Sequence, residues 1–103
     1  MRFINLTPHT IVVFNGEAEE KTFPSEGCAR VEQFTKCVDV IDNIPIYRSE
    51  IGAVEGLPPQ ENGVLYIVSA VVKATSPRVD LVSPGRLVRD SEGRVIGCEG
   101  FIH

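Results

Sequence analysis

Short apolar runs separated by turn-forming residues are the feature that most constrains the fold of this chain. Runs of this length, cut by Gly, Pro and Asn, are typical of β-strands. The clearest loop is Gly56-Leu57-Pro58-Pro59-Gln60-Glu61-Asn62-Gly63, because two prolines hold it extended. The strongly apolar run at residues 64–68 follows this loop and predicts a central, buried strand.

The remaining runs complete a β-rich pattern with one short helix. Ser69 is placed to cap a helix at residues 70–74, and Pro77 to end it. Turns are indicated at Asn15-Gly16 and Pro84-Gly85. Strands or extended segments are predicted at residues 2–6, 10–14, 21–23, 28–40, 44–47, 64–68, 78–82, 87–90 and 94–98. We therefore expect a single domain over residues 1–103, a β-rich α+β fold with about eight short strands in a compact curled sheet or small barrel.

Composition excludes several classes of protein. An apolar fraction of 43% argues against disorder, and a net charge of −4 argues against binding to a nucleic-acid polymer. The three cysteines, at positions 28, 37 and 98, form no C-x-x-C pair, which favours a reducing compartment and predicts no metal site. The sequence carries no cofactor motif, no membrane-spanning run and no signal peptide, so we expect a cytoplasmic protein without a cofactor.

A polar corner separates the first two predicted strands. The segment Asn5-Leu6-Thr7-Pro8-His9-Thr10 places hydrogen-bonding side chains where a hairpin more commonly has Asn-Gly or Asp-Gly. Asn5, Thr7 and His9 are therefore candidate ligand-binding residues, and His9 would be the acid–base group if the protein were an enzyme. A turn in which Thr7 bonds local backbone and His9 is half-exposed explains the same residues.

A second set of candidates lies in the last third of the chain. Arg78 and Asp80 stand at alternate positions, so both can face one ligand, with Arg78 on a phosphate and Asp80 on a hydroxyl. Ser69 at a helix start and Arg89 beside the turn that Asp90 starts in Asp90-Ser91-Glu92-Gly93 extend this ligand-binding set. An ion pair within the chain, and a helix cap at Ser69, are the structural alternatives.

The chain resembles a group of small, mostly uncharacterised proteins of bacteriophages, prophages and some actinobacteria. The likeness rests on Asn5-Leu6-Thr7-Pro8-His9, Gly56-Leu57-Pro58, Tyr66-Ile67-Val68-Ser69, Arg78-Val79-Asp80, Pro84-Gly85, and Arg89-Asp90-Ser91-Glu92-Gly93-Arg94-Val95-Ile96-Gly97. It covers most of the chain but not residues 15–45. The resemblance implies a phage setting, with the host cytoplasm as the location, and no particular chemistry.

Three functions follow as hypotheses. The first is a phage-type binding protein that sequesters a small phosphorylated, nucleotide-derived signalling molecule and so counters bacterial defence. The second is a protein-interaction or structural module, or an inhibitor of a host enzyme. The third is a small phosphodiesterase or other hydrolase that uses His9, although no second acid–base group is evident and we favour a protein without catalysis. Exposed sheet edges predict a homo-oligomer. We expect no membrane among the partners of the protein.

Overall fold

A computed structural model describes residues 1–15 and 19–103. The elements in chain order are β1 (Arg2–Asn5), β2 (Ile11–Asn15), β3 (Glu19–Phe23), β4 (Arg30–Ile41), β5 (Ile44–Glu55), β6 (Val64–Ile67), α1 (Ala70–Thr75), β7 (Leu81–Arg89) and β8 (Val95–Ile102). The predicted β-rich α+β class, with eight strands and one short helix, is confirmed. The turn predicted at Asn15-Gly16 falls partly outside the described residues.

Six of the strands form one curled sheet in the order β1-β6-β7-β8-β2-β3. The two edge strands, β1 and β3, approach each other. Asn5 of β1 bridges to Ser25, just after β3, and the Glu26 amide donates to the Asn5 carbonyl at 2.8 Å. The Phe3 and Phe23 rings also meet across this seam, with centroids 5.7 Å apart. The sheet is therefore a nearly closed barrel, which leaves few unpaired edges.

β6 lies between β1 and β7, as its apolar sequence predicted. It pairs in parallel with both neighbours, and Tyr66 and Ile67 are almost completely buried. The core cluster that surrounds it consists of Leu6, Ala29, Tyr66, Val68, Val72 and Leu81. Parallel pairing on both sides explains why this strand is continuously apolar.

Ser69 caps α1, as predicted. Its hydroxyl oxygen accepts a hydrogen bond from the Val72 amide at 3.3 Å, and the helix ends before Ser76 and Pro77. Val72 is the helix residue that reaches the core. The cap thus fixes the point where the chain turns from β6 onto the surface of the barrel.

Pro84-Gly85 does not form the predicted turn. Both residues lie inside the continuous strand β7, where Pro84 pairs with Phe101 and Gly85 with Gly100 of β8. A Cβ atom at position 85 would lie 2.6 Å from Cγ1 of Ile102, so glycine permits a close approach of the strands. The local turn preference of Pro-Gly is overridden by pairing with β8.

β4 and β5 form a separate two-stranded sheet, and each has 12 residues. β5 continues to Glu55, beyond residue 47 where the sequence pattern ended it. Val31 and Val54, at the base of this hairpin, pack against the core cluster. We call its outer part, residues 33–51, the arm.

The arm gives the molecule an elongated outline. The chain measures 56 × 39 × 19 Å, and its radius of gyration is 17.0 Å. A compact chain of this length has a radius of gyration of about 13 Å. The difference follows from an arm that extends away from the barrel.

Candidate functional site

The Asn5 side chain is the structural centre of the polar corner. It is completely buried, and its amide nitrogen donates to the carbonyl oxygens of His9 and Phe23, each at 2.8 Å. Its side-chain oxygen accepts from the Thr7 amide at 2.9 Å and from the Thr7 hydroxyl at 2.7 Å. The Asn5 amide is thus fully occupied in joining the corner to the end of β3 across the barrel seam.

Thr7 and Ser25 complete this junction. The Ser25 hydroxyl donates to the Thr7 carbonyl at 2.6 Å, and the Thr7 hydroxyl lies 3.0 Å from the His9 carbonyl. His9 takes part through its backbone, and its side chain is exposed. Among residues 1–15 and 19–103, no side chain hydrogen-bonds the His9 imidazole, so its catalytic role stays a prediction.

Arg78 and Asp80 form an ion pair within the chain. The Arg78 Nε donates to Asp80 Oδ1 at 3.0 Å, and Nη2 donates to Oδ2 at 2.6 Å. The side chains are 24% and 7% exposed, respectively. Hydrogen bonding to Asp80 raises the pKa of the Arg78 guanidinium. This is the bidentate geometry in which arginine holds a carboxylate most firmly.

The third guanidinium nitrogen of Arg78 anchors the loop before β6. Nη1 donates to the Pro58 carbonyl at 2.7 Å, and the neighbouring Tyr66 hydroxyl donates to the Pro59 carbonyl at 3.1 Å. The Arg78 guanidinium carbon also lies 5.8 Å from the centre of the Tyr66 ring. All three nitrogens of Arg78 are engaged, so the predicted phosphate clamp would have to replace these bonds; that role stays a prediction.

The other predicted residues lie at separate places on the surface. Ser69 caps α1, and Arg89 donates from Nη1 to the Gly93 carbonyl at 3.0 Å in the β7–β8 turn. Asp90 shapes this turn, as predicted, by accepting hydrogen bonds from the amides of Glu92 and Arg94. The ligand-contact role of Ser69 and Arg89 stays a prediction.

Three shallow depressions divide the candidate residues. Thr7 and Ser69 share one of about 260 Å³, with Arg30 on its wall. Arg78 lines a second, of about 310 Å³. His9 lines a third, of about 350 Å³. The structure therefore brings Thr7 and Ser69 together, and it places His9 and Arg78 in different depressions.

The His9 depression is lined mainly by apolar side chains. We call it the apolar groove, and its walls include His9, Ile11, Leu87, Val95 and Ile96. Leu87 is 51% exposed, Val95 50% and Ile96 45%. Exposed aliphatic side chains of β7 and β8 thus meet half-buried Ile11 of the neighbouring strand β2 at one place on the outside of the barrel.

The arm carries the other large apolar surface. Its exposed hydrophobic side chains are Phe34, Val38, Val40, Ile41, Ile44, Ile46, Tyr47 and Ile51. A monomeric protein rarely exposes so many neighbouring apolar residues without a function for them. We did not predict this surface from the sequence, although the apolar residues on both sides of Asp42-Asn43 indicate it.

The strand register separates two faces of the arm. One face carries the charged side chains together with four apolar ones, namely Phe34, Lys36, Asp39, Ile41, Ile44, Ile46, Arg48 and Glu50. The other face is uncharged and carries Gln33, Thr35, Cys37, Val40, Pro45, Tyr47, Ser49 and Ile51. Val31 and Val54 begin this uncharged face at the barrel, so it continues the core outward along the arm.

Within the described residues, no group of three or more His, Cys, Asp or Glu side chains is arranged to hold a metal ion. The helix found in the described part of the chain is too short to cross a membrane. Comparison of the chain with protein-family models, with curated proteins and with solved structures found no match.

Proposed function

We propose that this protein is a protein-interaction module and that the arm is its binding element. The observation that carries the proposal is the exposure of aliphatic and aromatic side chains along the arm, with Val40 59%, Ile44 61% and Tyr47 62% exposed. Apolar surface of this kind gains free energy when another protein covers it. Exposed tyrosine, with a large apolar body and one hydroxyl, is enriched in such contacts.

The division of charge on the arm supports this function. A protein contact must remove the contacting face from water, and burying a charge without a partner is costly. The uncharged face of the arm, which carries Val40 and Tyr47, avoids this cost, while the charges on the other face keep that side of the arm hydrated. The arm is also a two-stranded sheet, so both of its strands have an edge that can pair with another chain.

Site-specific photo-cross-linking tests the proposal. A benzophenone amino acid replaces Tyr47 on the arm or, as the matched control, the 76%-exposed Val79 on the barrel. In bacterial host cytoplasm we expect adducts of defined mass from position 47 and none from position 79. Equal labelling at both positions, or no adduct from position 47, would show that the arm is not the binding element.

A small-ligand function is the second candidate, favoured by the depression that holds Thr7 and Ser69. Two hydroxyl groups predicted to bind a ligand lie there beside Arg30. The Arg30 side chain is 76% exposed, and its Nε is as far as 3.9 Å from the Glu55 carboxylate, so this ion pair is loose. An arginine with two hydroxyls suits a phosphorylated molecule. This is the place where a sequestered nucleotide-derived signal would bind.

Thermal unfolding in the presence of cyclic dinucleotides, NAD and ADP-ribose isomers tests this second function. A ligand that binds only the folded protein raises the midpoint temperature with its concentration. The Arg30→Ala variant should lose the shift, and Arg48→Ala, on the arm, should keep it. Flat midpoints across the panel would remove the support for sequestration.

A further inference from the structure

We infer that two copies of this chain pair through the free edge of β5, so that their arms form one four-stranded sheet. The inference rests on the proposed binding role of the arm, and it adds the partner and the alignment of the two strands. It is carried by the order of charged side chains in β5, because Arg48 and Glu50 become partners when this strand pairs with itself.

The first step is the free edge of β5. Within residues 1–15 and 19–103, β5 pairs with β4 alone, so one row of its backbone amides and carbonyls faces away from the arm. The hairpin packs beside α1 on the side of β4, which leaves β5 as the outer strand. Residues 44–51 pair with β4 without an extra residue on β5, so their side chains alternate regularly. A regular edge of this kind can accept another strand.

The second step is the alignment that the charges select. When Ser49 lies opposite Ser49 of a second antiparallel copy, each Arg48 lies opposite a Glu50. A shift of the centre by one residue places Arg48 opposite Arg48, or Glu50 opposite Glu50. Opposite charges directly across two strands stabilise a sheet, and like charges destabilise it. The charges therefore favour a two-fold pair centred on Ser49.

The third step is the charge distribution of one arm alone. Lys36 lies directly opposite Arg48, and like charges at this spacing are unfavourable. The ion pairs found in the described part of the chain include neither Arg48 nor Glu50. In the paired sheet, Glu50 of the second copy lies on the other side of Arg48. It offsets the repulsion that each separate arm contains.

The fourth step is the uncharged face. The same alignment places Tyr47 opposite Ile51, and these side chains are 62% and 55% exposed in the single chain. Aromatic and β-branched side chains are a favourable cross-strand pair. Pro45 has no N–H to offer a neighbouring strand, and it lies just outside the paired segment 46–52. Pairing thus converts two marginal hairpins into one four-stranded sheet with a continuous uncharged face.

Exchange of the two charges tests the alignment. Arg48→Glu brings carboxylates together on both sides of the centre, and Glu50→Arg brings cations together there. The double variant Arg48→Glu/Glu50→Arg restores opposite charges and keeps the net charge of the wild type. Arg94→Glu, at a side chain that is 78% exposed in the β7–β8 turn, is the control for a change of net charge. Circular dichroism confirms the fold of each protein before oligomeric state is measured.

Native mass spectrometry and sedimentation velocity report the oligomeric state. We expect the wild type, the double variant and Arg94→Glu to dimerise alike, and each single arm variant to have a dissociation constant raised at least about 10-fold. A mixture of ¹⁵N-labelled Arg48→Glu with unlabelled Glu50→Arg should form a mixed dimer. In that dimer every opposed pair again has opposite charges, which pairing centred on Ser49 predicts.

A disulfide at the centre of the pair tests the alignment independently. Side chains directly opposite each other in an antiparallel pair have Cβ atoms about 4.5–5.5 Å apart, close to the spacing of a disulfide. The exposed Cys28 and Cys37 are first replaced by serine. In that background, Ser49→Cys should form a covalent dimer with oxidised glutathione. Thr35→Cys, exposed on the same face but on the inner strand β4, should stay monomeric on a denaturing gel.

Three kinds of result would overturn the inference. A monomeric wild type would remove the second copy as the partner, and photo-cross-linking of a host protein at position 47 would still decide the binding role of the arm. Single variants that dimerise like the wild type, or a double variant that stays monomeric, would show that Arg48 and Glu50 do not face each other. Equal disulfide formation at positions 35 and 49 would show that the two strands are not aligned on Ser49.

Discussion

The buried amide of Asn5 provides the most precise prediction about this fold. We expect Asn5→Asp to destabilise the protein strongly, although the two side chains have nearly the same shape. In the native protein the amide nitrogen donates to two carbonyl oxygens at 2.8 Å. A carboxylate places an acceptor against both carbonyls and also buries a charge at a site with no exposure to solvent.

The magnitude follows from these contacts and depends on pH. Near pH 4 the protonated carboxyl still donates one hydrogen bond, so the loss of unfolding free energy is about 2 kcal/mol. Burial raises the pKa of the new carboxyl above the unfolded value of about 3.9. The unfolded state then releases its proton first, and stability falls as the pH rises between the two pKa values. At pH 8 we expect a loss of about 4 kcal/mol or more.

Urea unfolding followed by far-ultraviolet circular dichroism at pH 4 and pH 8 measures this effect. Asn62→Asp makes the same chemical change at an exposed position and should alter stability by less than about 0.5 kcal/mol at either pH. A loss below about 1 kcal/mol for Asn5→Asp at pH 8, or a loss independent of pH, would refute the role of the amide as the junction of the barrel seam.

Three further predictions concern stability and thiol chemistry. Arg78→Met should lower the free energy of unfolding in urea by about 3 kcal/mol, because Asp80 keeps a buried charge without its partner. The control Arg89→Ala should lower it by less than about 1 kcal/mol, and equal losses would contradict the anchoring role of Arg78. Gly97→Ala should destabilise the protein by about 2 kcal/mol, because the added Cβ would lie 2.6 Å from the Val12 carbonyl oxygen. Gly100→Ala is the control in the same strand, because a Cβ added there meets no atom within 4 Å. Burial raises the pKa of the Cys98 thiol, so a thiol reagent at pH 8 should modify Cys28 and Cys37 quickly and Cys98 only on unfolding. Fast reaction of all three thiols would show that Cys98 is not buried between the strands.

Local sequence signals predicted the elements whose type a few adjacent residues specify. The apolar run of β6, the Ser69 cap of α1 and the Asp90 turn each follow from a few adjacent residues. Pro84-Gly85 shows the limit of such signals, because pairing with residues 100 and 101 holds these two residues in a strand. That pairing depends on the register of the whole sheet, which no local pattern specifies.

The candidate site was less predictable for a related reason. The sequence drew attention to Asn5 and Arg78 as polar residues among apolar strands, which is equally typical of a ligand site and of a buried structural bond. Their decisive contacts, with the carbonyls of Phe23 and Pro58, join positions 18 and 20 residues apart. Only the folded chain shows that these donors are already occupied by backbone.

The arm changes what kind of function the fold favours. A two-stranded hairpin is marginally stable alone in water, and this one packs against the core cluster through Val31 and Val54 at its base. A contact that covers its apolar residues would therefore stabilise the arm as well as bind the partner. If that partner is a second copy, the stability of the arm depends on protein concentration, while the barrel, closed through Asn5, remains folded in each separate chain. The arm should thus behave as the part of this molecule whose order depends on binding, and the barrel as the rigid support that holds it.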